Sequence, residues 1–121
     1  MNVIIVDDEG VVRDVLGTIL SDNGFEVRTT GSGDDALRML AEAPADFLIT
    51  DYLMPNMSGA ELLRKAKEAA PDLKVVLMSG HLDFDGTIAE CAHDAYATFQ
   101  KPFDFRQLMD LLTGPPPSIQ S

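Results

Sequence analysis

Five short apolar runs, each followed by a stretch with helical spacing, constrain this chain more than any other feature. The runs are residues 2–6 (NVIIV), 25–29 (FEVRT), 47–50 (FLIT), 73–78 (LKVVLM) and 96–100 (YATFQ). The first is continuous and β-branched, as a strand covered on both faces is. The second alternates, which suits a strand near a sheet edge.

The stretches between them repeat at helical period. Across 10–22, Val11, Val12, Val15, Leu16, Ile19 and Leu20 form one face, Arg13 and Asp14 point away, and Asn23-Gly24 supplies the stop. Residues 31–34 (GSGD) read as a turn and helix start, followed by the face Ala36, Leu37, Leu40 and Ala41 and ended by Pro44. Ser58 caps a third helix in a capping box with Glu61, with Leu62, Leu63, Ala66 and Ala70 inward and Pro71 as the end. Residues 83–95 make the weakest helix, because Gly86 and Thr87 are poor formers; its apolar face is Ile88, Ala89, Ala92 and Ala95. Asp104 caps a last helix carrying Phe105, Leu108, Met109 and Leu112.

This (βα)₅ alternation predicts an α/β fold: a five-stranded parallel sheet, helices on both faces, right-handed crossovers. A length of 121 residues suits one domain. We expect that domain over 1–114 and a flexible proline-rich tail over 115–121, too short for an output module. The start at Met1, just ahead of the first strand, favours a natural single-domain protein over a piece of a hybrid kinase.

Nine Lys and Arg stand against 20 Asp and Glu, a formal net charge of −11. Nucleic acid and anionic membrane surfaces both demand clustered positive charge, so neither is an expected partner. No apolar run reaches membrane-spanning length and no signal-peptide layout precedes the first strand, which makes the cytoplasm the expected location. Cys91 is the single cysteine, so no internal disulfide or thiolate cluster can form, and it reads as a small packing residue. His81 and His93 are the only histidines, too few and too separated for a metal site.

In a doubly wound sheet, ligands sit beyond the carboxyl ends of the strands, near the point where strand order reverses. The first strand delivers Asp7 and Asp8 there, the third Asp51, the fourth Ser79, and the fifth Lys101 followed by Pro102. Singly, each is an ordinary turn residue, cap or surface charge. Together they place three carboxylates, a hydroxyl and an ammonium on one edge. Crowded carboxylates call for a cation, and hard oxygen donors without Cys or His favour Mg²⁺, Mn²⁺ or Ca²⁺ over zinc. A phosphoryl group on one carboxylate would meet that cation, Lys101 and Ser79, the electrostatic parts phosphoryl transfer requires. Asp51, on the central strand between the other carboxylates and the lysine, is the natural nucleophile.

VIIVDDE at 3–9, LITDYLMPNMSG at 48–59, VVLMSGH at 75–81 and KPF at 101–103 together resemble the receiver domain of two-component response regulators, in its chemotaxis-regulator-like single-domain form, over residues 1–112. The resemblance implies a flavodoxin-like sheet of strand order 2-1-3-4-5. It implies that Asp51 takes phosphoryl from a histidine kinase, a phosphotransfer protein or a small donor such as acetyl phosphate. Mg²⁺ (or Mn²⁺) would be held by Asp8 directly, Asp7 through water, Asp51 and the Leu53 carbonyl. Lys101 would pair with Asp51 and its phosphoryl group, the bond from Lys101 to Pro102 would be cis, and Ser79 would follow the phosphoryl group. Such a domain is a phosphoprotein that catalyses only its own phosphorylation and dephosphorylation, and it is a monomer or weak dimer. It signals to another protein through the fourth helix, fifth strand and fifth helix.

The chain departs from the family at its switch. The aromatic residue usual three positions before the lysine is replaced by Thr98, while Phe99 alternates to the opposite face unless a bulge turns it round. No ordinary aromatic swap is therefore expected, and the weak helix over 83–95 becomes the natural mobile element. Leu53 and His81, two positions after Asp51 and Ser79, should flank the attacking water. Leu53 cannot orient water, so loss of phosphoryl is expected to be slow unless His81 assists.

A flavodoxin-like electron carrier would need a phosphate-cradling loop where Asp7, Asp8 and Glu9 stand. An aspartyl phosphatase would want an acid where Leu53 stands. The remaining alternative is a pseudo-receiver, a scaffold that binds partners without phosphorylation.

Overall fold

A strand with helices packed on both of its faces has no polar face to show, and the central strands here obey that rule. The computed structural model describes residues 1–52, 57–79, 95–100 and 105–113. Its elements run β1 (Asn2–Val6), α1 (Gly10–Asp22), β2 (Glu26–Thr30), α2 (Gly33–Glu42), β3 (Phe47–Asp51), α3 (Gly59–Ala69), β4 (Lys74–Ser79), β5 (Ala97–Gln100) and α4 (Phe105–Thr113). The strands form one parallel sheet in the order β2-β1-β3-β4-β5, as the sequence pattern and the family resemblance imply. The expected helix over 83–95, the Asp104 cap and the tail lie outside the described residues.

Alternate strand residues feed two separate layers. Ile4, Val6, Leu48, Val75 and Leu77 pack with Ala36, Leu40, Leu62, Leu63 and Ala66 of α2 and α3. Val3, Ile5, Ile49, Val76 and Met78 pack with Leu16 and Leu20 of α1 and Leu108 and Leu112 of α4. β2 lies at one edge and is the most exposed of the first three strands, which explains its alternating sequence.

Local signals act where the sequence places them. Ser58 Oγ accepts from the Glu61 amide at 3.1 Å and Ser32 Oγ from the Asp35 amide at 3.3 Å, each satisfying an otherwise unpaired first-turn donor. The Glu61 carboxylate reaches forward to Lys65 at 3.2 Å. α1 stops at Asn23, and Gly24 takes φ 91°, the left-handed region in which glycine carries no side-chain penalty. β2 begins one residue later than expected, because Phe25 turns into the core and its amide bonds back to Leu20 O. β3 runs one residue further, to Asp51.

Three expected apolar faces are narrower than their spacing predicts. Val11 and Val15 are 77% and 42% exposed, whereas Leu16 and Leu20 are fully buried. The row Val12, Leu16, Leu20 faces the sheet, and Val11 and Val15 sit one position, about 100°, round the helix. Ala41 is exposed for the same reason, and Phe105 stands at 37% exposure beside buried Leu108.

Candidate phosphoacceptor site

The chain passes from β1 outward to β2, then returns to place β3 on the other side of β1, so strand order reverses between β1 and β3. There the register pairs Val6 with Thr50, so the next residues, Asp7 and Asp51, emerge side by side. Both are buried, at 0% and 8% exposure, while Asp8 is exposed. One carboxylate oxygen from each of the three lies within 4.8 Å of the others. The convergence expected from sequence is therefore present for these three residues.

Asp7 is fixed from three directions. Its amide donates to Thr30 O at 3.1 Å, its Oδ1 accepts from the Glu9 amide at 2.9 Å, and its carbonyl accepts from Arg13 Nη1 at 2.7 Å. Arg13 does not point away as its helical position suggested. Asp51 is anchored through its backbone. Thr50 Oγ1 donates to Asp51 O at 3.0 Å, the Tyr52 amide to Met78 O at 2.7 Å, and the Gly59 amide to Tyr52 O at 2.7 Å. Nothing bulkier than glycine fits at 59: a β-carbon would stand 2.5 Å from Asp51 O and 2.7 Å from Tyr52 Cα. Gly33 gives similar clearance to Met57, whose buried side chain starts the approach to α3.

Like charges so placed repel. For Asp7 and Asp51 the Coulomb energy runs from about 1 kcal/mol in a water-like medium to about 3 kcal/mol at an effective dielectric of 20. Oxygens bound to one Mg²⁺ lie about 3 to 4 Å apart. A cluster spanning 4.8 Å of hard oxygen donors, two of them buried, fits such an ion with one ligand acting through water.

Further along the same edge, Asp51 pairs in register with Met78 and Ser79 with Gln100, so Ser79 ends β4 one step beyond the residue opposite Asp51. Lys101, which follows Gln100 in sequence, lies outside the described residues, as do Leu53, His81, Pro102, Cys91 and His93. Thr98 is exposed on β5 opposite Leu77. Phe99 is half-buried against the layer containing Val76, Met78, Leu108 and Leu112, so the two residues do occupy different faces. Sequence reading missed Arg13 and Gly59: the first looks like a surface residue of an amphipathic helix, and the second like a helix-start glycine.

The response regulator receiver domain family matches residues 3–113. The chain belongs to that family. It is 32% identical over 110 residues to the DNA-binding transcriptional regulator NtrC of Azospirillum brasilense, covering 91% of this chain and 23% of that protein. It thus spans about a quarter of the length of the curated relatives it matches. Among solved structures, a receiver domain protein from Clostridium thermocellum superposes with a TM-score of 0.81 at 31% identity, over 88% of this chain and 86% of that one. The Thermotoga maritima response regulator TrrA, in complex with Mg(2+)-BeF, superposes with a TM-score of 0.82 at 26% identity, over 92% and 95%.

Proposed function

We propose that this chain is a phosphoacceptor: Asp51 takes a phosphoryl group in a Mg²⁺-dependent reaction and the phosphorylated form is recognised by another protein. The observation that carries this reading is the meeting of buried Asp7 and Asp51 with Asp8 within 4.8 Å, at the reversal of strand order.

An Asp51 carboxylate oxygen attacks phosphorus and the bond to the donor breaks, releasing a histidine imidazole that takes a proton from solvent, or acetate if the donor is acetyl phosphate. Asp7, Asp8, Asp51 and the Leu53 carbonyl would hold Mg²⁺, which supplies charge neutralisation at the phosphoryl oxygens. The bonds from the Thr50 hydroxyl and from the Tyr52 and Gly59 amides keep Asp51 aimed at that point. Lys101 would pair with Asp51 and the transferred group, and Ser79 would bond that group. A related regulator of the same fold binds Mg(2+)-BeF, which supports a cation at this edge.

With Thr98 in place of an aromatic residue, readout falls to the 83–95 segment, β5 and α4, a face that would contact a downstream protein. The NtrC relatives are DNA-binding regulators, but a net charge of −11 argues against DNA contact by this segment itself. Among the described residues no helix is long and apolar enough to cross a membrane, which is compatible with a cytoplasmic setting.

Incubation with Mg²⁺ and acetyl phosphate should add the mass of one phosphoryl group, and Asp51→Asn should abolish the adduct. A wild-type chain that acquires no adduct, from acetyl phosphate or from a phosphorylated histidine kinase, would instead be a pseudo-receiver.

A further inference from the structure

Arg13 leaves the first turn of α1 and folds back over the end of β1, where Nη1 reaches the Asp7 carbonyl at 2.7 Å. That carbonyl belongs to the planar peptide joining Asp7 to Asp8, so holding its oxygen fixes the orientation of the whole unit. Asp7 has further anchors in Thr30 and Glu9, whereas Asp8 is exposed and follows wherever that peptide points.

Two glycines border the guanidinium. A β-carbon on Gly31 would stand 2.8 Å from Nη1, and one on Gly10 3.5 Å from Nη2. Gly24 alone has a positive φ among the described glycines, so the backbone at Gly31 does not itself demand glycine. What an alanine there would take is the space of the guanidinium.

We propose that Arg13 is the positioning residue of the cation site, orienting the Asp7–Asp8 peptide so that both carboxylates face Asp51, with Gly31 as its clearance. The assignment rests on the receiver reading above. Charge and position act with opposite signs here. A guanidinium beside a cation site opposes a divalent ion, so loss of its charge alone would tighten Mg²⁺ binding. Loss of positioning weakens it, as removal of groups that orient metal ligands does by about tenfold or more.

The test is calorimetric titration of Mg²⁺ into the full chain, wild type against Arg13→Ala, Gly31→Ala and the double variant, with unfolding midpoints measured in chelator. Arg13→Ala should weaken Mg²⁺ about tenfold. Gly31→Ala should do likewise by displacing the flexible end of Arg13, and in the Arg13→Ala background it should have no further effect. Midpoints in chelator should stay near wild type. If Arg13→Ala proves unfolded, Gly31→Ala, which retains the arginine, decides alone. Unchanged or tighter binding by the variants, or losses that simply add, overturns the assignment while leaving the receiver reading intact. A wild-type chain that takes up neither Mg²⁺ nor phosphoryl overturns both.

Discussion

Gly59 lies so close to Asp51 that a β-carbon on it would meet the Asp51 carbonyl oxygen at 2.5 Å. The neighbours on that side are backbone atoms of Asp51 and Tyr52, which cannot swing aside as a side chain does. Gly59→Ala should therefore destabilise the fold by about 1–3 kcal/mol, the usual cost of overpacking. It should also slow phosphoryl uptake at temperatures where the variant is still folded. Denaturant unfolding and the rate of adduct formation check the two parts. An alanine variant with wild-type stability and rate would mean that the contact is relieved without consequence.

The carboxylate crowding has its own signature. In chelator, Asp51→Asn removes one member of the repelling cluster and should stabilise the chain by about 1 kcal/mol. Added Mg²⁺ should stabilise the wild type by ligand linkage and the variant much less. Thermal melts with and without chelator read both effects. Equal Mg²⁺ stabilisation of the two chains would place the ion elsewhere.

Thr98 is exposed on β5, so its side chain carries little of the fold. Thr98→Tyr should change stability by no more than about 0.5 kcal/mol, as exposed substitutions do, and leave the rate of uptake on Asp51 unaltered. Unfolding curves and a time course of the adduct test this. A several-fold change in uptake would make position 98 part of the chemistry instead of the readout.

The lifetime of the phosphorylated form should depend on the residue two positions after the acceptor. Replacing Leu53 with Asn or Glu supplies a polar group to orient water and should speed decay, while His81→Ala should slow it. Release of inorganic phosphate from purified phosphoprotein measures both rates. Decay indifferent to Leu53 would end its part in this account.

The first helix gives a clean contrast in stability. Leu16→Ala should cost about 2–5 kcal/mol as a cavity forms under the sheet. Val11→Ala, at 77% exposure, should cost no more than about 0.5 kcal/mol. Similar losses at both positions would put Val11 in the core after all.

That contrast also shows what the sequence could and could not reveal. Continuous apolar strands are legible because sheet burial on two faces requires them, and the carboxylates at their ends follow from fold topology. The apolar spacing of α1 did not separate the row facing the sheet from Val11 and Val15, because hydrophobic residues occupy both. Arg13 and Gly59 were illegible for another reason. Their roles depend on a carbonyl of Asp7 and a carbonyl of Asp51, and main-chain atoms leave no trace in residue identity.

The pairing of Val6 with Thr50 has a temporal consequence. β3 follows β1 and β2 along the chain, so a chain that stops short of β3 carries Asp7 and Asp8 without Asp51. No stretch of local sequence holds the complete site. On the receiver reading, phosphoryl uptake would double as a proofreading of the fold, since only a molecule whose third strand has slotted beside its first brings Asp51 to Asp7 and Asp8.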